Sequence, residues 1–254
     1  MSKVKTEREI KLIRASCELV VATFQMLDRL VEPGITTGEI DREIEKFIVS
    51  HGAWPAFKGY VVNRKAFPAN SCISVESEVV HGIPSNNRKL RAGEIVGIDV
   101  GVKLGDFYGD AAKSYAVGPI DELRTRLMQV TRESLYQGIA QASAGNRLSD
   151  ISHAVQSYVE AAGFSVVREL VGHGVGRRLH EEPQVPNFGP PRQGPKLKSG
   201  MVLAIEPMVN AGGYEVENAD DGWTVRTQDG MPSAHFEHTV VITNGEAEIL
   251  TKGI

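Results

Sequence analysis

The chain has little cysteine, few aromatic residues and no long hydrophobic run. Its 254 residues include two cysteines, Cys17 and Cys72, without a CxxC pair, which argues against a disulfide framework and excludes a thiolate zinc finger. No apolar stretch approaches the ~18 residues of a membrane span, and the first eleven residues are charged. We therefore expect no signal peptide, no membrane contact and a reducing, cytoplasmic environment.

The charge of the chain is also low. It carries 28 basic against 32 acidic residues, a net charge of −4, so the composition lacks the basic footprint of a nucleic-acid-binding protein. The length suits one large domain or two small ones with a sizeable core.

Two helix pairs recur at a fixed offset of 111 residues. Capping boxes at Thr6–Glu9 and Thr36–Glu39 predict the first pair, with helices that end before Pro33 and near Gly52. The second pair is predicted from Pro119-Ile120-Asp121 to near Gly145, and from Ser149 to near Gly163. The matching positions are Gly34 with Gly145, Glu39 with Asp150, Ile40 with Ile151, Ile44 with Val155, Phe47 with Tyr158, Ile48 with Val159 and Gly52 with Gly163.

Strand-like segments follow each helix pair, at residues 94–102, 107–117, 201–209 and 235–243. The pattern predicts an α+β fold, with a mainly antiparallel sheet flanked by two helix pairs related by a pseudo-twofold axis. We interpret the chain, 1–254, as a single catalytic domain made of two related halves, about 1–118 and 119–254. Two unrelated helical hairpins are the alternative.

Asp99 and Asp110 lie in the first two of these strands, on either side of a predicted turn at residues 103–106. A turn centred between Leu104 and Gly105 sets the two aspartates directly opposite each other, with Cβ atoms about 4.5–5.5 Å apart. Like charges that close require a shared proton or a shared cation. The two aspartates alone are compatible with an aspartic-protease dyad, a glycosidase carboxylate pair or a metal site.

Further candidate ligands come from the second half. Glu206 follows the apolar run VLAI, Glu237 lies in HFEHT, and His173 opens the glycine-rich segment GHGVGRRLHEEPQV, which also contains His180. Solvated acids and a surface loop are the plain alternatives. The two aspartates, the two glutamates and His173 together form an oxygen-rich, nitrogen-poor set of ligands. Such a set suits two ions such as Mn²⁺, Fe²⁺, Co²⁺ or Zn²⁺ about 3.5–4 Å apart.

The ordered motifs IDVGV, DFYGDAA, GHGVGRRLHEEPQV, AIEPM and HFEHT resemble those of the type I methionine aminopeptidases, which have the pita-bread fold. The resemblance covers nearly the whole chain. It implies that Asp99, Asp110, His173, Glu206 and Glu237 hold two divalent ions per chain, with Asp110 and Glu237 bridging them. It also implies that His81, in VVHGIP, lies beside the scissile bond and that His180 contacts the substrate carbonyl.

The implied reaction is removal of the initiator methionine from nascent chains by an activated water that attacks the first peptide bond. Glu206 would transfer the proton, with His81 and His180 as the other catalytic residues. The implied partners are the N-termini of nascent polypeptides near the ribosome, and the chain is expected to be a monomer. Candidates for the methionine pocket are Phe67, Cys72, Met208 and Trp223.

Two departures from the family pattern affect that pocket. Leu179 stands where the family often has phenylalanine, and the segment 54–72 is longer than usual. Two other functions remain as alternatives: a proline-specific aminopeptidase of the same fold, and a non-catalytic peptide-binding module. The presence of all five implied ligands disfavours the second of these.

Overall fold

The computed structural model describes residues 4–254, which contain four helices. The first two begin at the two predicted capping boxes, and the third begins at Asp121, whose side chain accepts the N–H of Arg124. The helices are α1 (Glu7–Leu27), α2 (Thr37–Ser50), α3 (Glu122–Ala140) and α4 (Leu148–Ala161).

The second helices of the two pairs match closely. α2 and α4 each have 14 residues, and their bounds differ by the predicted 111 positions. The glycines that precede them, Gly34 and Gly145, both have a φ of +99°, a left-handed conformation that favours glycine. The predicted end of α3 near Gly145 is wrong, because the helix ends at Ala140 and a short loop leads to the glycine.

The strands form several small antiparallel sheets rather than one continuous sheet. In chain order they are β1 (Trp54–Pro55), β2 (Val61–Val62), β3 (Lys65–Ala66), β4 (Cys72–Val75), β5 (Glu78–Val80), β6 (Ile95–Leu104), β7 (Phe107–Ala116), β8 (Ser165–Val166), β9 (Val171–Gly174), β10 (Glu181–Pro186), β11 (Val202–Ile205), β12 (Met208–Asn210), β13 (Val216–Asn218), β14 (Val225–Thr227), β15 (Ser233–His235), β16 (His238–Val241) and β17 (Glu248–Ile249). The two largest sheets are β1-β6-β4 with β7 on the other side of β6, and β10-β9-β11-β16-β17.

The β6–β7 hairpin has a different register from the one predicted. Leu104 pairs with Phe107, so the turn is centred between Gly105 and Asp106. Asp99 therefore lies opposite Ala112, and the prediction that it directly faces Asp110 is wrong. Each pairing is displaced by two positions, and because side chains alternate with a period of two, both aspartates still project from the same face.

The other face of the hairpin is part of the core, as predicted. Val96, Ile98, Val100 and Val102 are fully buried and pack with apolar residues of α1 and α2. Gly109 of β7 lies against the backbone of α1, where a Cβ would come within 2.6 Å of the Cys17 nitrogen. The helix therefore packs directly on the hairpin that carries the aspartates.

The predicted strands 201–209 and 235–243 are each interrupted at a glutamate. β11 ends at Ile205 and β12 begins at Met208, because Pro207 has no N–H to donate to a sheet. β15 ends at His235 and β16 begins at His238, and the Glu237 N–H donates to Ala112 of β7. Both glutamates thus lie where the chain passes from one sheet to another.

No helix within residues 4–254 is both long and apolar enough to cross a membrane.

Candidate metal centre and its cavity

A cavity of about 460 Å³ contains the side chains that the sequence singled out. Its walls include every predicted site residue: Asp99, Asp110, His173, Glu206, Glu237, His81, His180, Phe67, Cys72, Met208 and Trp223. These residues span 170 positions of the chain, so only the tertiary fold brings them together.

Five different backbone segments place the candidate ligands. Asp99 and Asp110 project from β6 and β7, and His173 projects from β9. Ile205 of β11 pairs with His238 of β16, and the same register carried one residue further sets Glu206 opposite Glu237. The β6–β7 hairpin thus contributes two carboxylates, and the residues that adjoin β11 and β16 contribute the other two.

The distances show how closely these groups converge. His173 Nε2 lies 3.4 Å from Glu206 Oε1 and 3.8 Å from Asp110 Oδ2. One ligand atom each from Asp110, His173 and Glu237 lie within 4.8 Å of one another. His173 Nδ1 lies 3.0 Å from the Gly174 carbonyl oxygen, which can only accept, so Nδ1 carries the proton. The Nε2 lone pair is therefore directed at the carboxylates, as in metal-binding histidines.

The four carboxyl groups strongly oppose one another's ionisation. Burial, and then the neighbouring Glu237 and Asp99, raise the pKa of Asp110 well above its usual value. Burial raises the pKa of Asp99 to about 7. Burial followed by the charges of neighbouring carboxylates also raises the pKa values of Glu206 and Glu237. These groups ionise together only if a positive charge is brought among them.

The protein itself does not supply that charge. Within residues 4–254 these carboxylates form no ion pair with lysine or arginine, and their basic neighbours are His173 and His235. Burial lowers the pKa of His173 to about 4 and that of His235 to about 3, so both are neutral at pH 7. Asp99 Oδ1, Asp110 Oδ1 and Glu237 Oε1 are buried and have no hydrogen-bond partner. Buried oxygens without partners beside a histidine lone pair fit a divalent cation, which would satisfy all of them at once.

His180 and His81 lie beside this cluster. The His180 ring packs edge-on against the His173 ring, with centroids 4.3 Å apart. Its partial burial in the cavity, and then the neighbouring His173 and His81, lower its pKa, so His180 is neutral at pH 7. His81 directly follows β5 with a φ of +58°, a conformation that costs free energy for a non-glycine residue and that is typical of functional sites.

The candidate methionine pocket is a mainly aromatic part of the same cavity. Phe67 packs edge-on against Trp223, with ring centroids 5.2 Å apart, and Cys72 belongs to the same apolar cluster. Leu179 is buried in that cluster behind the cavity wall. Met208 lies in a neighbouring cluster with Val80 and also reaches the cavity.

One contact of His180 was not predicted. Tyr60 Oη lies 2.6 Å from His180 Nδ1, and the two rings are edge-on at 4.9 Å. Tyr60 belongs to the long segment 54–72, which forms the β2–β3 hairpin at the cavity. Its position in that segment was the only signal in the sequence, because no spacing links residue 60 with residue 180.

The chain is similar to known metallopeptidases over nearly its whole length. The model of metallopeptidase family M24 matches residues 11–244. The chain is 53% identical to a methionine aminopeptidase of Clostridium perfringens and 52% identical to methionine aminopeptidase 1 of Bacillus subtilis, each over 98% of both chains.

Solved structures agree with this. The methionine aminopeptidase of Thermotoga maritima superposes with a TM-score of 0.96 at 44% identity, covering 99% of this chain and all of the other. The prolidase of Pyrococcus furiosus shares the fold, with a TM-score of 0.79 at 23% identity over 98% of this chain and 65% of the prolidase. These likenesses confirm the α+β pita-bread fold.

Proposed function

The chain belongs to metallopeptidase family M24, among its methionine aminopeptidases, and we propose that it removes the N-terminal methionine from polypeptides. The observation that carries this proposal is the convergence of four carboxylates and one imidazole, three of whose oxygens lack partners, on a cavity with an aromatic pocket. The chain is accordingly a divalent-metal-dependent hydrolase.

The metal centre in this proposal is dinuclear. Asp99, Asp110, His173, Glu206 and Glu237 would hold two ions drawn from Mn²⁺, Fe²⁺, Co²⁺ and Zn²⁺. Asp110 and Glu237 are each 2% exposed, so bulk water does not reach their unpaired oxygens, which supports a cation as their partner. Divalent ions, when bound, lower the pKa of water and polarise carbonyl groups.

The other residues orient the peptide and move its protons. His180 would donate a hydrogen bond to the carbonyl oxygen of the first peptide bond, and His81 would contact the amide of the same bond. Glu206 Oε2, 3.7 Å from His235 Nε2, would accept the proton of the attacking water and pass it to the leaving amine. Phe67, Cys72, Met208 and Trp223 would surround the methionine side chain, because sulfur packs well against aromatic rings.

We further propose that the protein acts as a monomer in the cytoplasm, on chains emerging from the ribosome, as one catalytic unit with related halves 1–118 and 119–254. Two observations support a relation between the halves: α2 and α4 have equal lengths, and Gly34 and Gly145 share one backbone conformation.

The test is turnover of Met-Ala-Ser against Ala-Pro-Ala by metal-free protein and by protein reloaded with Mn²⁺ or Co²⁺. We expect cleavage of the methionyl peptide only, no activity without metal, and recovery on metal addition. Preference for Ala-Pro-Ala would instead support a proline-specific aminopeptidase. Full activity in the metal-free protein would exclude the metal-dependent mechanism.

A further inference from the structure

A buried ion pair lies directly behind the turn that carries His180. Lys5 Nζ donates to Glu181 Oε2 at 2.5 Å, and the two side chains are only 6% and 11% exposed. Glu181 directly follows His180 and lines the same cavity, but neither residue is a candidate metal ligand or has a role in the mechanism described above. A charge pair removed from water to this degree is costly unless its geometry is well satisfied.

Glu181 organises the turn between β9 and β10. It is the residue after His180, it is the first residue of β10, and it lies opposite Gly174 of β9. Its second oxygen, Oε1, accepts the backbone N–H of Arg178 at 3.2 Å. Burial raises the pKa of Glu181, but the bonds from Lys5 and from the turn more than offset this, so the carboxylate remains charged.

The backbone of Lys5, whose side chain binds Glu181, is itself fixed by a hydrogen bond. Its N–H donates to the Gly200 carbonyl at 2.7 Å, and Gly200 lies just before β11, the strand that leads to Glu206. Space for the lysine comes from Gly176, where a Cβ would collide with both Lys5 Nζ and Glu181 Oε1. Lys5 therefore connects the segment leading to Glu206 with the turn that ends at His180.

We propose that Lys5 and Glu181 are positioning residues for His180: their ion pair fixes the turn 175–180 so that the imidazole stays between His173 and Tyr60. Any loosening of the turn displaces that ring, because residue 180 adjoins the residue that the ion pair holds. A displacement near 1 Å in a reacting geometry can lower a rate by about 100-fold. This inference rests on the proposed function, since it concerns the same site.

Two variants break the pair in different ways. Lys5→Met removes the cation and keeps most of the side-chain volume, and Glu181→Gln keeps an acceptor for the Arg178 N–H but removes the charge. We expect each to lower kcat for Met-Ala-Ser by about 10-fold or more, with KM within about two-fold and metal content unchanged. The control on the same turn is Arg177→Gln, which removes an ion pair with Glu9, 3.5 Å long, and a cation–π contact with Phe107, neither of which involves Lys5 or Glu181. We expect its kcat to stay within about two-fold of wild type.

A double-mutant cycle of Lys5→Met with His180→Ala distinguishes an effect on the position of His180 from a general effect on protein stability. If Lys5 acts through His180, Lys5→Met must cost no further activity once the imidazole is absent. Amide hydrogen exchange should be faster in residues 176–181 of Lys5→Met, with α2 unaffected. An equal loss in both backgrounds, or wild-type kcat in both single variants, would overturn the proposal. If instead the wild-type protein fails to cleave Met-Ala-Ser, the proposed function itself is wrong, while the exchange result still tests the ion pair.

Discussion

The contact of His180 with Tyr60 is compatible with the tautomer that its proposed role requires. The phenol Oη lies 2.6 Å from Nδ1, and a phenol that donates to Nδ1 leaves the imidazole proton on Nε2. A neutral imidazole with Nε2–H can donate a hydrogen bond to a carbonyl oxygen, which is the role proposed for His180. Its lowered pKa keeps it in this neutral form at physiological pH.

Changing His180 to alanine should therefore impair chemistry without impairing metal binding. We expect kcat to fall by roughly 100-fold or more, as when an oxyanion donor is removed. Metal content, measured by elemental analysis, should equal that of the wild type because His180 is not among the proposed ligands. Loss of metal together with activity would show that His180 has been assigned the wrong role.

Asp110 and Asp106 provide a matched pair of aspartates on one hairpin. Asp110 is 2% exposed within the carboxylate cluster, and Asp106 is exposed in the turn. Asp110→Asn should weaken metal binding by about 100-fold or more, since even the loss of a group that only orients a ligand costs about 10–100-fold. Asp106→Asn should bind metal like the wild type. Titration calorimetry would measure both, and equal affinities would contradict the proposed ligand set.

The local sequence determines the starts of two helices but not the register of the β6–β7 hairpin. The starts of α1 and α2 could be predicted because a threonine and a glutamate three residues later satisfy the same backbone groups in any context. The register of β6 and β7 was mispredicted because residues 103–106 allow more than one turn centre. The choice between them is made by packing and by the left-handed Gly105, with a φ of +60°.

The prediction that Asp99 and Asp110 project from the same face of the hairpin is correct despite the wrong register. A two-residue turn can move along a hairpin in steps that preserve the alternation of faces, and apolar residues at every second position of β6 fix which face is buried. The breaks at Glu206 and Glu237 could not be predicted in the same way. They depend on contacts such as that of the Glu237 N–H with Ala112, which are distant in sequence.

Packing of α1 on the hairpin can be tested with two glycines of that hairpin. A Cβ at Gly109 would lie 2.6 Å from the Cys17 backbone nitrogen, and a Cβ at Gly97 would meet its nearest atom at 3.7 Å. Gly109→Ala should destabilise the protein by about 1–3 kcal/mol, as overpacking does. For a protein of this size that corresponds to a loss of several degrees in Tm. Gly97→Ala, the control, should leave Tm nearly unchanged; the reverse order in thermal unfolding would contradict this packing.

On the scale of the whole molecule, the cavity gathers residues that no local pattern connects. Residues 60, 81, 180 and 237 line one cavity although they are far apart in the sequence. The identities of the candidate ligands could be predicted because carboxylates and histidines in buried strands are unusual. Lys5 and Tyr60 could not be predicted, since a lysine near a chain end and a tyrosine in a loop are ordinary features of sequences.

The stability of the metal-free protein should depend on pH in a characteristic direction. The carboxyls of the cluster have folded-state pKa values above their unfolded values, so their contribution is complete below pH ~4 and is lost as pH rises through about 7 for Asp99. Buried His173, with its pKa lowered to about 4, has the opposite effect, but only below pH ~6.5, where the unfolded imidazole takes up a proton. Above pH 6.5 the effect of the buried histidines fades, and the carboxyls whose pKa values are raised well above their usual range lower the stability further as pH rises.

We therefore expect the Tm of chelator-treated protein to fall by several degrees from pH 6.5 to 8.5. Protein loaded with Mn²⁺ should show a much smaller decline, because a bound cation keeps the carboxylates ionised in the folded state. Differential scanning calorimetry at both pH values would measure this. A Tm that rises with pH in the metal-free protein would mean that the carboxyls are not protonated as proposed.

The burial of both thiols has a practical consequence for labelling. Cys17 is fully buried, Cys72 is 3% exposed, and burial raises the pKa of each thiol, so neither forms the nucleophilic thiolate readily. A cysteine introduced at exposed Arg64, at the tip of the β2–β3 hairpin, would be the one thiol to react quickly with a maleimide dye. The wild-type chain is thus a ready background for single-site fluorescence, and a dye at that tip would report peptides arriving at the cavity in real time.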